Sequence, residues 1–457
     1  MSLNGSGSAA SRRRSNGVLG LRQPQRTPRP VNEPADAAQR RGPTLVLSVI
    51  GFFLVLTSYY VLRPVRDQLV GAAGSSSLPM FYAIVFVVML ALTPVFGWLV
   101  SRFARRKVLL CSYLFFVACL VAFVPAFVAQ DRIGAVALGQ VFFVWVSVFN
   151  LFVVSLFWSL MADVFSSTEA RVAFPLIAFG GMAGALLGPL LTRLLVVRLG
   201  VPSMLVVSAG TLAVALGALL VVSRRVGAND RTDGAPLGGS MIEGAKAAVA
   251  QPFLRYMALL MLLSDGIATM AYALMADYTK ARFTDNALRT AFYADLDLWI
   301  NGLGAVLQLT VTPLLMRRFG TLWALVVPSA VNVLLLSWLA IHGPGAASLF
   351  GIAVPVIVVV QVVTRGMTFG MGKPASDALY TRMPREARYK GKNFIETTVW
   401  RFGDLLVTSG LYGLHAIGVG IAGIGLICAG LAAVATDVAR RAATSPDLEP
   451  ESDERRA

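Results

Sequence analysis

Residues 44–70 read TLVLSVIGFFLVLTSYYVLRPVRDQLV, and they decide the class of fold. From Thr44 to Leu62 there is no charged side chain. At ~1.5 Å per residue such a run spans a hydrocarbon core of ~30 Å. Lipid offers no partner for backbone amides, so the run must be a helix. Arg63, Arg66 and Asp67 then arrive within one turn and a half, with Pro64 among them.

The rest of the chain repeats the pattern. It is 56% hydrophobic and 14% charged, with a mean hydropathy of +0.70. A soluble domain carries about a quarter charged residues, so an all-α integral membrane protein is expected. Twelve apolar stretches of spanning length lie near 44–70, 78–100, 108–129, 135–162, 173–196, 203–222, 253–278, 291–315, 321–341, 348–372, 394–414 and 416–439. The expected organisation is a disordered tail over 1–43, a six-helix bundle over 44–222, a linker with an amphipathic helix over 223–252, a second bundle over 253–439 and a tail over 440–457.

The formal charge of +16 is placed for topology, not for nucleic acid. The alternate loops 101–107, 163–172, 223–255, 316–320 and 373–393 hold 18 Lys and Arg, against 6 in the opposite set. Positive loops stay inside, so both termini are expected in the cytoplasm of a bacterial inner membrane. The N-terminal segment holds eight arginines, and an organelle inner membrane is the alternative if it is a transit peptide. Cys111, Cys119 and Cys428 all fall in apolar stretches and the chain has 2 histidines. That pattern points to no disulfide framework, metal site or cofactor. Without a Walker sequence or a nucleophile constellation, no enzyme is expected.

The halves repeat. Pro94 and Pro313 stand 219 residues apart, Glu169 and Glu386 217, and Tyr60 with Asp67 meets Tyr278 with Asp285 at 218. Parallel six-helix repeats about an axis along the membrane normal define the major facilitator architecture, with a site between the halves. GWLVSRFARRKVL (97–109) resembles that superfamily's signature at Gly97, Leu99, Arg102, Arg105, Arg106 and Leu109, with Ser101 and Ala104 as departures. Gly97 would allow close helix packing. GGMAGALLGP (180–189) puts Gly180, Gly184 and Gly188 on one stripe beside Pro189, similar to the glycine-proline stripe of the superfamily's fifth helix.

Ionisable residues inside spans face a cavity or a partner. Asp265 in the seventh stretch and Arg365 in the tenth are the best-placed central residues for a substrate and coupling site. Asp295, Asp297 and Asn301 follow in the eighth, and Glu396, Arg401 and Asp404 in the eleventh. The alternative role for each is an ion pair holding one conformation shut, with an Arg on another helix bonding Asp265 or Asp404. In the opening stretch Tyr59, Arg63, Arg66 and Asp67 share one helical face. Pro64 is expected to loosen the helix at Arg63. Two guanidiniums there suit a carboxylate or phosphate; the alternative is that they snorkel to the outer surface.

YVLRPVRDQLV (60–70) also resembles the first helix of the nucleotide (ATP/ADP) translocases of plastids and intracellular bacteria. SRFARRKV, VVSLFW…EARVAFPL, AFYADLDLWINGLG and YKGKNFIE resemble further segments of that family. The resemblance implies an antiporter for a nucleotide or similar phosphorylated anion, working by alternating access. The family's first-helix lysine is Arg66 here, its fourth-helix glutamate falls near Ser147, beside Asn150, and its late lysine becomes Asp404. A site that loses a cation and gains a carboxylate holds a tetravalent nucleotide less well. The expected partners are therefore a small anionic solute met by Tyr59, Arg63, Arg66, Asn150 and Arg365, and a coupling proton or counter-substrate. Asp67, Asp265, Asp297, Glu396, Arg401 and Asp404 would couple or gate. A monomer in the lipid bilayer suffices. Proton-coupled efflux of a neutral or cationic solute and a non-transporting scaffold or sensor are the competing readings.

Overall fold

A computed structural model of the chain describes residues 33–225, 241–349, 351–384 and 391–448. Among them eleven helices are long and apolar enough to cross a membrane. In the first half these are α1 (Glu33–Ala73), α2 (Leu78–Arg102), α3 (Arg105–Val128), α4 (Ala135–Val164), α5 (Ser167–Leu199) and α6 (Val201–Arg225). In the second they are α7 (Pro252–Arg282), α8 (Asn286–Phe319), α9 (Thr321–His342), α10 (Val356–Tyr380) and α12 (Ile421–Ala443). The twelfth segment, α11, is a π-turn at Ile395–Val399 running into Trp400–Ala416. Its apolar run is interrupted by Glu396, Arg401 and Asp404. A short helix, Met241–Ala250, occupies the linker. The architecture is the expected twelve-helix major facilitator fold.

The helix pairing carries the repeat. The pair α3–α6 recurs as α9–α12, and the two pairs that join the halves, α5–α8 and α2–α11, exchange under the same shift of six helices. The turns carry it too. Gly200 (φ 79°) between α5 and α6 and Gly418 (φ 80°) between α11 and α12 are 218 residues apart. Each reverses the chain in a left-handed conformation that a side chain would strain.

Several boundaries differ from expectation. The tenth span is displaced: Ala346–Leu349 and Ile352–Pro355 form an antiparallel hairpin, and the helix starts only at Val356. Short apolar runs of β-branched residues do not distinguish strand from helix. Helix α1 begins at Glu33, inside the segment expected to be a tail. At the other end, Asp447 accepts the Phe253 amide at 3.1 Å and Leu448 is buried, so the chain is ordered past 440. Residues 1–32 and Glu386 lie outside the described residues. Pro64 does not loosen α1, which runs unbroken to Ala73. One missing amide is tolerated where packing holds the rest of the helix.

The first half packs around an aromatic cluster that includes Phe116, Phe142, Phe149 and Phe157. Its glycine stripe lies on α1. A Cβ at Gly188 would stand 2.8 Å from the Thr57 carbonyl oxygen and 2.7 Å from Tyr60 Cβ, and one at Gly184 would strike the Phe53 carbonyl. Gly97 has no such role, because nothing lies within 4 Å of a Cβ placed there.

Candidate central cavity between the halves

The glycine stripe matters because it presses α5 onto the stretch of α1 that presents the arginines. Tyr59, Tyr60, Arg63 and Arg66 face a cavity of about 340 Å³ whose other wall is Asp265, Thr269 and Tyr272 of α7, Arg365 of α10, and Trp400, Arg401 and Asp404 of α11. Ser147 and Asn150 of α4 and Phe369 of α10 are also part of the lining.

The first-half arginines are compensated. Arg63 Nε stands 3.5 Å from Asp297 Oδ1 across the halves, its guanidinium 5.5 Å from the Tyr60 ring. Arg66 donates to Asp67 Oδ1 at 2.8 Å and lies 4.9 Å from the Phe143 ring. Asp67 also accepts the Tyr272 hydroxyl at 2.8 Å, a second bond between the halves. Neither arginine is a free headgroup anchor: Arg63 is buried and Arg66 half-buried.

The second half adds two carboxyls and two cations. Asp404 accepts the Thr269 hydroxyl at 2.7 Å and stands 3.8 Å from Arg401 of its own helix. Asp265 and Asp404 are within hydrogen-bonding reach of each other. Among the described residues the expected bond from an arginine on another helix to either aspartate is not made; the ion pairs that join the halves are Arg63–Asp297 beside the cavity and Arg193–Asp295 further out. Arg365 differs from the other cations. Among the described residues it reaches only the Ala268 carbonyl, at 3.5 Å, lies 5.5 Å from the Tyr272 ring, and its buried Nε has no hydrogen-bond partner.

Beyond the cavity, the halves are sealed at the end that carries the α1–α2 and α7–α8 connections, here the far end. Ser75 N donates to Asp277 Oδ1 at 2.7 Å and Lys280 Nζ to the Ala73 carbonyl at 2.8 Å. Asn301 Nδ2 donates to the Ala185 carbonyl at 2.9 Å, and Arg193 pairs with Asp295 at 2.8 Å.

Not every residue singled out in the sequence reaches the cavity. Asp297 stands behind Arg63 and Asp67 beside Arg66. Glu396 pairs with Lys373 in the second half. Arg105 pairs with Asp163 and donates to the Ser159 carbonyl at 2.9 Å, while Arg102 and Arg106 are exposed. Pro189 follows Gly188 inside α5. Thr269 and Tyr272 were not singled out, yet they stand four and seven residues after Asp265 on its own face.

The sequence matches the Major Facilitator Superfamily over residues 46–403. No curated protein matches it. Among solved structures it is similar to the nucleoside transporter NupG (14% identity, TM-score 0.57, covering 88% of this chain and 98% of that one). The POT family transporter PepTSo is similar at 16% identity and TM-score 0.59, covering 88% and 98%. A bacterial homologue of the iron transporter ferroportin, in an inward-facing state, is similar at 16% and 0.59, covering 88% and 99%. At these identities the likeness is one of fold.

Proposed function

The chain belongs to the Major Facilitator Superfamily and is a membrane transporter of that fold, and from this premise we propose that it moves an organic anion of low charge by alternating access through the central cavity. The observation that carries the proposal is Arg365. A guanidinium in a protein interior needs acceptors, and this one faces the cavity with its Nε unsatisfied and, among the described residues, no carboxylate within 4 Å. A solute carboxylate or phosphate would supply the missing acceptor, and a guanidinium fork suits either.

The remaining charges argue about valence. Arg63, Arg66 and Arg401 each already have an aspartate partner. The site therefore offers about one uncompensated cation, enough for a singly or doubly charged solute and poor for a tetravalent nucleotide. Tyr59, Tyr60, Tyr272 and Trp400 give the cavity aromatic faces on which a planar group can stack. A nucleoside monophosphate or a phosphorylated metabolite fits these features, in keeping with the resemblance of the first helix to the nucleotide translocases. Asp265 and Asp404 serve as the proton-coupling pair. With both termini in the cytoplasm, the bonds between the halves at the far end support an inward-facing state.

The test is counterflow in liposomes with labelled mono-, di- and triphosphates of nucleosides, sugar phosphates and organic cations. Low-valence anions should exchange and cations should not. Arg365→Lys should retain part of the rate, and Arg365→Gln should lose it with an unchanged melting temperature. Exchange of cations by the wild type, or normal exchange by Arg365→Gln, would sink the reading.

A further inference from the structure

A second cavity, of about 230 Å³, lies wholly within the second half between α7, α9, α10 and α11. It shares three lining residues with the central cavity: Asp265, Phe369 and Trp400. Among the described residues, Asp265 is the one ionisable group common to both linings. From Thr368 the pocket follows α10 past Gly372 and Ser376 to Tyr380, ~18 Å of helix towards the end where the linker helix lies. Its mouth is charged and half-exposed. Lys373 pairs there with Glu396 and stands 3.4 Å from Asp377, which Lys392 approaches at 2.8 Å.

We infer that this side pocket is a separate water-filled route by which a proton reaches and leaves Asp265 while solute occupies the central cavity. Water persists in a cavity only where it is roomy and offers polar partners. Here Ser264, Ser329, Asn332, Thr368 and Ser376 line the wall, and the Thr368 and Ser376 hydroxyls, which donate to carbonyls of their own helix, keep lone pairs for water. The buried Tyr380 hydroxyl adds a group with no partner of its own. Among the described residues that line the pocket the one cation is Lys373, and Glu396 compensates it, so no free cation is there to trap a solute anion. In the release step the Asp265 O–H bond breaks, the proton passes to a pocket water as hydronium, and the bonding electrons stay on the carboxylate. Arg365 of α10 and Arg401 of α11 stand close enough to stabilise that carboxylate, with Asp404 of α11 and Tyr82 of α2 as its other polar neighbours. The Glu396 carboxylate receives the proton at the mouth and passes it to bulk water. The arrangement gives Asp265 two faces, one towards solute and one towards bulk water, which a solute-filled cavity would otherwise deny it.

This rests on the reading of Asp265 as the proton carrier, and its test needs no solute. In reconstituted full-length protein, infrared difference spectra locate the protonated carboxyl band that Asp265→Asn removes. The deuterium-exchange rate of that band reads access to water. In the background of Asn150→Trp, which fills the central cavity, Ser329→Leu combined with Ser376→Leu fills the pocket as well and should slow exchange about tenfold or more, the factor of a ~1.4 kcal/mol barrier. Ser329→Ala, which keeps the space, should leave the rate unchanged. Asn150→Trp by itself should also leave it unchanged. Slowing by Asn150→Trp alone overturns the inference, as does the lack of any further slowing when the pocket is filled in that background. So does the lack of any band that Asp265→Asn removes. Anion counterflow is scored separately, so a protein that exchanges anions but fails here loses the side route and keeps the proposed function.

Discussion

The two halves share one topology and differ in how their helices are wound. Helices α8, α10 and α11 each contain a π-turn, at Leu307–Val311, Thr368–Gly372 and Ile395–Val399. Their counterparts six helices earlier, α2, α4 and α5, are regular α-helix from end to end. A π-turn admits one extra residue, shifts every side chain beyond it around the axis, and leaves a carbonyl short of its usual donor. Two of the three turns lie on the wall of the side pocket: Thr368, Phe369 and Gly372 come from one and Glu396 from another. The first half fills the equivalent depth with stacked aromatics, such as Phe52 on Phe157 with centroids 4.5 Å apart. One half is thus a close-packed support presenting arginines. The other is a deformable body presenting carboxyls.

The largest test of this division is the ion pair across the seam. Asp297 is 3% exposed and, among the described residues, its Oδ2 has no hydrogen-bond partner, so Arg63→Gln leaves a buried carboxylate uncompensated. A loss of ~3–5 kcal/mol is expected in detergent unfolding. Adding Asp297→Asn should restore most of it. If the double variant is no better than the single, Arg63 is held by its first-half packing and the seam is not what joins the two bodies.

A smaller effect separates the helix surfaces themselves. Gly184 and Gly188 let α5 touch the backbone of α1, whereas the residues 218 further on are Phe402 and Leu406, both large and exposed. Gly184→Leu and Gly188→Leu make α5 resemble α11. Each should cost ~1–3 kcal/mol as the overpacked side chain pushes α1 away, with loss of anion exchange through the displaced Tyr60 and Arg63. Phe402→Ala should cost less, since it removes a side chain that is already exposed. Equal costs at the two sites would erase the contrast between a packed and a loose half.

Much of this could be read in the sequence, for physical reasons that also mark where reading stops. Spans were legible because hydrophobic length is a local property, and the inter-half repeat because Asp67 and Asp285, or the turn glycines 200 and 418, keep one offset. Arginine placement was legible as a helical face at Tyr59, Arg63 and Arg66. Pairing was not. Which aspartate meets Arg63 depends on the rotation of α8 against α1, and nothing near Asp297 in the chain encodes it. The π-turns were equally hidden, because an extra residue in a helix leaves the apolar pattern only slightly out of phase. The hairpin at 346–355 was missed because its alternating small and branched residues pass for the start of a span.

The smallest effect tests the deformable half directly. Thr312 Oγ1 of α8 donates to the Gly370 carbonyl of α10 at 2.7 Å, and Gly370 lies inside the π-turn. The two helices are close here, since a Cβ at Gly370 would stand 2.6 Å from the Gly304 carbonyl oxygen. A carbonyl left without its helical donor inside a membrane bundle needs another, and the threonine hydroxyl supplies it from the neighbouring helix. Thr312→Val keeps the shape and removes the donor, so the expected loss in global stability is only ~0.5–1.5 kcal/mol. The local consequence should be clearer than the global one. Amide hydrogen exchange over 368–372 should speed up by about that free energy, while the regular helix α4 over 142–157 is unchanged. Thr312→Ser, which keeps the hydroxyl, should restore the wild-type rate. If exchange over 368–372 is as slow in Thr312→Val as in the wild type, the π-turn is held by its own helix. The second half would then owe its looseness to something other than these turns.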